Sequence, residues 1–417
     1  MGSGERGARV GPFEVEIGRR RGPGRGSRGN LVGNRSISAQ EDRRQAYKVR
    51  ERGMGMAKTL VVCCDGTWNT PDQRGRPTNV TKMARAILPR AGDGRLQVVY
   101  YDEGVGVGNV VERAVGGALG SGLSENVQQA YRFLALNYET GDRIALYGFS
   151  RGAFTVRSLA GLIGLVGLLR KGDLERMPDI WQHYRTKPED RKATDIHPDW
   201  IASRPPIDLL GVWDTVGSLG IPGNFLGRLG RSRHEFHDVT LGRSVRRAFH
   251  ALAVDEHRKN FAPAIWDTSK TAPDQVVEQV WFAGAHSNVG GGYPDPLLSD
   301  AAFLWMVDRS REVIEFDQDY LGRRVERLRR DRASGALVDS SAGLKWRLLG
   351  RLDRTIGTDA SENVHWSTLL RLEATGDGPA PFAPYPYSPR NLRSYLAAHP
   401  QVTPRTSARE RPEGDER

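Results

Sequence analysis

From Lys58 onward the chain alternates short apolar runs with longer amphipathic ones. Continuous apolar runs over residues 59–64, 96–101, 143–147, 207–213, 248–254 and 276–283 predict strands buried on both faces. Between them, helical periodicity predicts helices over 78–88, 124–138, 153–163 and 300–313. Thr78 or Asn79 is suited to cap the first of these, and Glu125 falls in the first turn of the second. Apolar strands alternating with helices predict an α/β fold built on a mostly parallel sheet with helices on its faces.

The rhythm breaks in three places. Residues 169–205 mix Trp181, His183, Tyr184 and Trp200 with many charges, which predicts an inserted cap or lid. Residues 317–350 read as helical and strongly charged, and the chain to 417 is Pro-rich with a polar tail. Residues 1–57 are rich in Gly and Arg without apolar periodicity and are expected to be a disordered basic arm. Met54 and Met56 stand directly before the first strand, and translation starting at one of them is the plainer reading of that arm. The expected organisation is therefore an arm (1–57), a catalytic domain (58–316) with its cap, and a C-terminal extension (317–417).

Charge changes this picture only a little. The 61 Lys and Arg exceed the 50 Asp and Glu, for a net +11. Residues 1–57 carry thirteen of the basic side chains against six acidic ones, so much of the excess is local. A basic surface suits peripheral contact with an anionic membrane, and nucleic acid is not the expected partner. Cys63 and Cys64 are adjacent in a strand and point to opposite faces, which predicts two small core residues and no disulfide or metal pair. No apolar run reaches the roughly 18 residues of a spanning helix, and the basic N-terminus lacks the apolar core of a signal peptide. A cytoplasmic protein is expected, with secretion lacking a signal left open.

The chemistry enters at Gly148-Phe149-Ser150-Arg151-Gly152. In a chain with 49 glycines the G-x-S-x-G pattern alone is weak. Here it follows a predicted strand and opens a predicted helix, the context in which it becomes a nucleophile elbow. The flanking glycines leave room for a turn that lifts the serine hydroxyl out of the backbone. A serine hydroxyl needs a base, and the base needs a carboxylate to fix its tautomer. Asp214 ends the strand at 207–213, and His286 follows the strand at 276–283. Both stand at C-terminal strand ends, where open α/β sheets place ligands, and in the chain order Ser, Asp, His. His250, His257, His234 and His237 compete for the role of base, and Asp208, Asp255 and Asp295 for that of acid. The expected oxyanion hole combines the amide of Arg151 with one from Gly66 or Thr67, in the turn after the first strand. The glycine-rich stretch 104–122 lacks a phosphate-loop pattern. The mechanism calls for no cofactor and no metal.

Five motifs occur in order: Asp65-Gly66-Thr67-Trp68-Asn69, the Ser150 pentapeptide, Gly211-Val212-Trp213-Asp214-Thr215-Val216-Gly217, His250-Ala251-Leu252-Ala253-Val254-Asp255-Glu256, and Gly284-Ala285-His286-Ser287-Asn288-Val289-Gly290-Gly291-Gly292-Tyr293. This set resembles a bacterial and fungal family of α/β-hydrolase-like proteins whose best understood members are similar to the catalytic domain of type VI secretion phospholipase effectors. The resemblance covers about residues 58–313, with a weaker echo at Val364-His365-Trp366-Ser367 and 387–392. It implies a Ser-Asp-His hydrolase of lipid or other esters, with Ser150, Asp214 and His286 as the triad. The cap aromatics are expected to shape an apolar acyl pocket. Asn288 stands where many members carry an acid. An esterase or thioesterase on small soluble substrates, and a non-catalytic membrane- or partner-binding protein, remain the alternatives.

Overall fold

The computed structural model describes residues 57–67, 76–104, 118–216, 241–330, 335–342, 350–373 and 387–403. All belong to the compact unit Met56–Arg417. The expected arm, and the reading of it as an alternative start, lie outside the described residues, as do the polar tail and most of the glycine-rich stretch.

Seven parallel strands form one sheet: β1 (Thr59–Thr67), β2 (Gln97–Gly104), β3 (Arg143–Phe149), β6 (Leu209–Trp213), β7 (Arg247–Ala253), β8 (Val276–Phe282) and β9 (Glu362–Val364). Their spatial order is β2-β1-β3-β6-β7-β8-β9. Alternation along each strand splits the core in two. Leu60, Val62, Cys64, Ile144 and Leu146 pack with α2 (Ala118–Asn137) and α3 (Arg151–Val166) on one face. Val61, Cys63, Ala145 and Tyr147 pack with α1 (Asn79–Ala86) and α6 (Leu297–Ser310) on the other. The two cysteines thus serve opposite faces, both fully buried and free. Thr78 caps α1, accepting from the Thr81 N–H at 3.1 Å.

From β1 the chain moves outward to β2 and then back past β1 to β3. The order reverses between β1 and β3, so a crevice opens at their C-terminal ends. Ser150 stands directly after β3 at that crevice, and Asp65 lies near the end of β1.

The insertion forms β4 (Leu168–Leu169), α4 (Met177–Arg185), several 3-10 turns and β5 (Ile201–Ser203), with β4 and β5 paired antiparallel. The Tyr131 hydroxyl donates to the Gly167 carbonyl at 2.9 Å and accepts from the Leu169 N–H at 2.9 Å. A Cβ on Gly161 would meet the Tyr184 hydroxyl at 3.0 Å. Gly161 lies ten residues along α3 from Arg151, or about 15 Å at a helical rise. Tyr184 of the insertion therefore packs on the half of α3 remote from Ser150.

The C-terminal region also departs from the expected extension. β9 completes the sheet beside β8, and Ile356, Val364, Leu369, Tyr387, Leu392 and Tyr395 enclose Leu252, Val254, Trp281 and Ala283. A three-residue strand is too short to show as a hydrophobic run. Of the expected charged helical stretch, the described helix is α7 (Gln318–Arg330). Two further helices, α8 (Trp366–Glu373) and α9 (Arg390–Ala398), follow.

Candidate active site

The chain turns from β3 into α3 through a single residue. Ser150 has φ 57° and ψ −116°, a conformation that costs a residue with a Cβ on the order of 1–3 kcal/mol and persists only when its surroundings enforce it. They do so here. The Ser150 N–H donates to the Trp213 carbonyl at 3.1 Å, and its carbonyl accepts from the Phe154 N–H at 3.2 Å. The flanking glycines are sterically required. A Cβ at Gly148 would lie 2.4 Å from the Gly152 carbonyl oxygen, and one at Gly152 only 1.9 Å from that of Cys64. Because both obstacles are backbone, Gly152→Ala must move β1 against α3. A loss of roughly 1–3 kcal/mol in urea denaturation is expected.

Asp214 leaves β6 with φ 41° and is fully buried. Its N–H donates to the Ala251 carbonyl at 2.7 Å. Four donors meet its carboxylate. Oδ1 accepts from the Ala253 N–H at 2.9 Å and from Arg354 Nη1 at 2.6 Å. Oδ2 accepts from Arg354 Nη2 at 3.0 Å and lies 2.6 Å from His286 Nδ1. Burial pushes this carboxyl up, but the Arg354 charge and the His286 hydrogen bond outweigh it and hold it well below the usual carboxylate range. An ionised Asp214 at that distance assigns the proton to Nδ1 and leaves Nε2 as an acceptor.

His286 opens α5 (His286–Gly290), a short helix. Its N–H donates to Glu256 Oε2 at 3.3 Å. The imidazole centroid lies 4.6 Å from that of Phe149, the residue before Ser150, and 5.1 Å from that of Phe261 in an edge contact. Asn79 holds α5 from the opposite side, its Nδ2 donating to the Val289 carbonyl at 2.8 Å. Asn288 points away from the imidazole, accepting from the Ala285 N–H at 3.1 Å and donating to the Ala336 carbonyl at 3.0 Å. The absence of an acid there leaves the His286–Asp214 contact untouched.

The competitors have other tasks. His250 is fully buried, its Nε2 accepts from the Thr215 N–H at 3.1 Å, and burial draws its pKa down to about 3. His257 pairs with Asp353 at 2.9 Å. Asp208, Asp255 and Asp295 accept main-chain N–H groups from Ile144, Gly284 and Leu297. His234 and His237 lie outside the described residues.

The expected oxyanion donors divide. Asp65 is buried and gathers Thr78, Thr81 and Tyr101 on Oδ2, while its Oδ1 accepts the Gly66 N–H at 2.6 Å. The Gly66 amide is therefore engaged by the preceding side chain, a correction to its expected role. Thr67 continues β1 opposite Gly104. Arg151 opens α3, where the first N–H groups have no intrahelical acceptor. Its half-buried guanidinium has no hydrogen-bond or ion-pair partner among the described residues, and burial lowers its pKa to about 10.

Residues 58–309, more than half of the chain, match the family described as T6SS, phospholipase effector Tle1-like, catalytic domain. The chain belongs to this family. The resemblance carried by the five sequence motifs is thereby borne out, and the parallel sheet with flanking helices agrees with an α/β-hydrolase-like fold. Uncharacterized protein YEL023C of Saccharomyces cerevisiae is 29% identical over 229 residues, covering 49% of this chain and 32% of the yeast protein. A crystal structure of an uncharacterized protein from Pseudomonas aeruginosa aligns at 18% identity and a TM-score of 0.36, over 70% of this chain and 51% of that one. The Tle1 effector bound to the VgrG spike of the type 6 secretion system aligns at 20% identity and a TM-score of 0.32, over 57% of this chain and 52% of the effector. The chain thus spans about a third of the yeast relative's length and about half of each of the two structures. Among the described residues, no helix is long and apolar enough to cross a membrane.

Sequence reasoning missed Arg354, Glu256 and the two phenylalanines around His286. Glu256 lies within a recognised motif and Phe149 within the elbow itself. Arg354 is one of 61 basic residues and has no local pattern to mark it.

Proposed function

We propose that this protein hydrolyses carboxylic esters of phospholipids, with Ser150 as nucleophile, His286 as base and Asp214 as the acid that orients it. The observation that carries this reading is the 2.6 Å contact between Asp214 and His286, set on Phe149 directly beside the strained Ser150. Ser150 Oγ attacks the ester carbonyl as its proton passes to His286 Nε2. Nδ1–H stays on Asp214, whose charge stabilises the imidazolium. The Arg151 amide stabilises the developing oxyanion at the start of α3. The imidazolium then protonates the leaving alcohol, and water, activated by the same base, releases the acid from the acyl-enzyme. Family membership supports a lipid ester as substrate.

The unpaired Arg151 guanidinium favours a phosphate-bearing substrate, since a half-buried cation beside the nucleophile suits a phosphodiester. Arg151→Gln keeps the backbone amide and removes the charge. It is expected to lower kcat/KM for a phospholipid by about 10–100-fold, the value of one or two charge-assisted hydrogen bonds, and to change that for a neutral p-nitrophenyl ester by less than about threefold. Equal losses on both substrates would remove Arg151 from headgroup recognition. The hydrolase reading itself is tested by fluorophosphonate labelling and by fatty-acid release from phospholipid vesicles. If the folded protein shows neither, the reading fails.

A further inference from the structure

We infer that Arg354 is a positioning residue of the triad, a two-point clamp that fixes the Asp214 carboxylate in the plane His286 requires. The inference rests on the triad reading above and extends it to a residue outside the matched segment 58–309.

The geometry is specific to arginine. Nη1 donates to Asp214 Oδ1 at 2.6 Å and to the Ala253 carbonyl at 2.9 Å. Nη2 donates to Asp214 Oδ2 at 3.0 Å and to the Phe261 carbonyl at 2.6 Å. The guanidinium thus addresses both carboxylate oxygens at once, and its own plane is set by main chain on either side of His257. Arg354 is 4% exposed and Asp214 fully buried, so the pair is little screened by solvent. A buried pair of this kind is weak grounds for stability, because desolvation offsets the Coulomb gain. Its placement on the carboxylate that meets His286 is better explained by the orientation it imposes. Without Arg354, Oδ1 would keep the Ala253 N–H and Oδ2 only the imidazole.

The clamp also governs ionisation. The groups facing Asp214 are His286 on α5, Arg354 from residues 350–362, and His250 on β7, with the Glu256–Arg258 pair beyond the His286 backbone. Burial raises the Asp214 carboxyl, and the guanidinium is the largest influence against it. Removing that charge lets a proton bind the coupled Asp214–His286 pair more readily, so activity would fall from the acid side at a higher pH than in the parent.

The test compares the full-length protein with Arg354→Lys and Arg354→Met, using kcat, KM and pH profiles on a soluble ester and near-UV circular dichroism to confirm folding. Lysine keeps the charge but not the fork. A fall in kcat of about tenfold is expected, with KM within about twofold and the acid limb unmoved. Methionine removes both. A fall of about 10²-fold is expected, as for a misplaced catalytic group, with the acid limb raised by about one pH unit. A folded Arg354→Met with the parental kcat and acid limb overturns the inference. If that variant does not fold, a parental kcat in Arg354→Lys overturns it. The downfield proton resonance of the His286–Asp214 hydrogen bond gives a readout that needs no turnover. It should be present in the parent and lost or shifted in both variants, and its persistence unchanged also overturns the inference. If the parent neither turns over esters nor labels with fluorophosphonate, the hydrolase reading fails while this resonance still decides the role of Arg354.

Discussion

Ser150→Ala is expected to yield a folded protein with ester hydrolysis reduced by at least about 10⁴-fold, to the level that binding and oxyanion contacts alone provide. Fluorophosphonate labelling should vanish with it. The fold should survive because Oγ makes no hydrogen bond among the described residues. The positive φ of Ser150 is imposed by Gly148, Gly152 and the Trp213 carbonyl, none of which the substitution touches. Alanine keeps the Cβ and therefore the strain, so thermal stability should stay within about 1 kcal/mol of the parent. Ser150→Gly separates strain from chemistry. It should be equally inactive yet more stable than the alanine variant by on the order of 1 kcal/mol, because glycine adopts positive φ freely. Residual turnover above about a hundredth of the parent in both variants would show that another nucleophile does the work.

The parts of the site legible in the sequence are those that stand at strand ends. Ser150, Asp214 and His286 each follow an apolar run, and parallel strands deliver their C-terminal residues to one edge. The alternation of Cys63 and Cys64 between two faces follows from the period of a strand alone. Parts that depend on distant chain segments left no such mark. Arg354 reaches Asp214 across 140 positions, and β9 contributes three residues to the sheet. The insertion shows a different limit. Trp181, Tyr184 and Trp200 were expected to shape an acyl pocket, but aromatic content does not say against what an aromatic packs. Tyr184 meets Gly161 far along α3, not Ser150. Gly66 was expected to offer its amide to substrate, and the adjoining Asp65 carboxylate takes it, a local side-chain competition of the kind Asp favours in turns.

Asp214→Asn should damage both chemistry and stability, and for separable reasons. Its φ of 41° does not stand in the way, since asparagine tolerates positive φ as well as aspartate. The difficulty is the donor count. Ala253 and Arg354 direct N–H groups at Oδ1, while Arg354 and His286 direct theirs at Oδ2. An amide has one oxygen, so its NH2 must face donors on one side. Turned toward His286, it forces Nδ1 to accept, moves the imidazole proton to Nε2 and removes the base from Ser150. Turned toward Ala253, it meets both the main-chain N–H and Nη1. A kcat lower by about 10³–10⁴ is expected. The substitution also leaves the Arg354 cation buried without its counter-charge, which should cost about 3–5 kcal/mol in urea denaturation. The depressed Asp214 carboxyl fixes the pH dependence of that loss. Its contribution is complete above the unfolded carboxylate pKa of about 3.9 and declines as pH falls through the lower folded value, so the gap between parent and variant should be full at neutral pH and narrow only below about pH 4. Asp214→Asn combined with Arg354→Met should recover much of the stability and none of the activity. If Asp214→Asn alone stays within tenfold of the parental kcat, Asp214 is not the orienting acid, and Glu256, which meets the His286 main chain at 3.3 Å, is the carboxylate to test next.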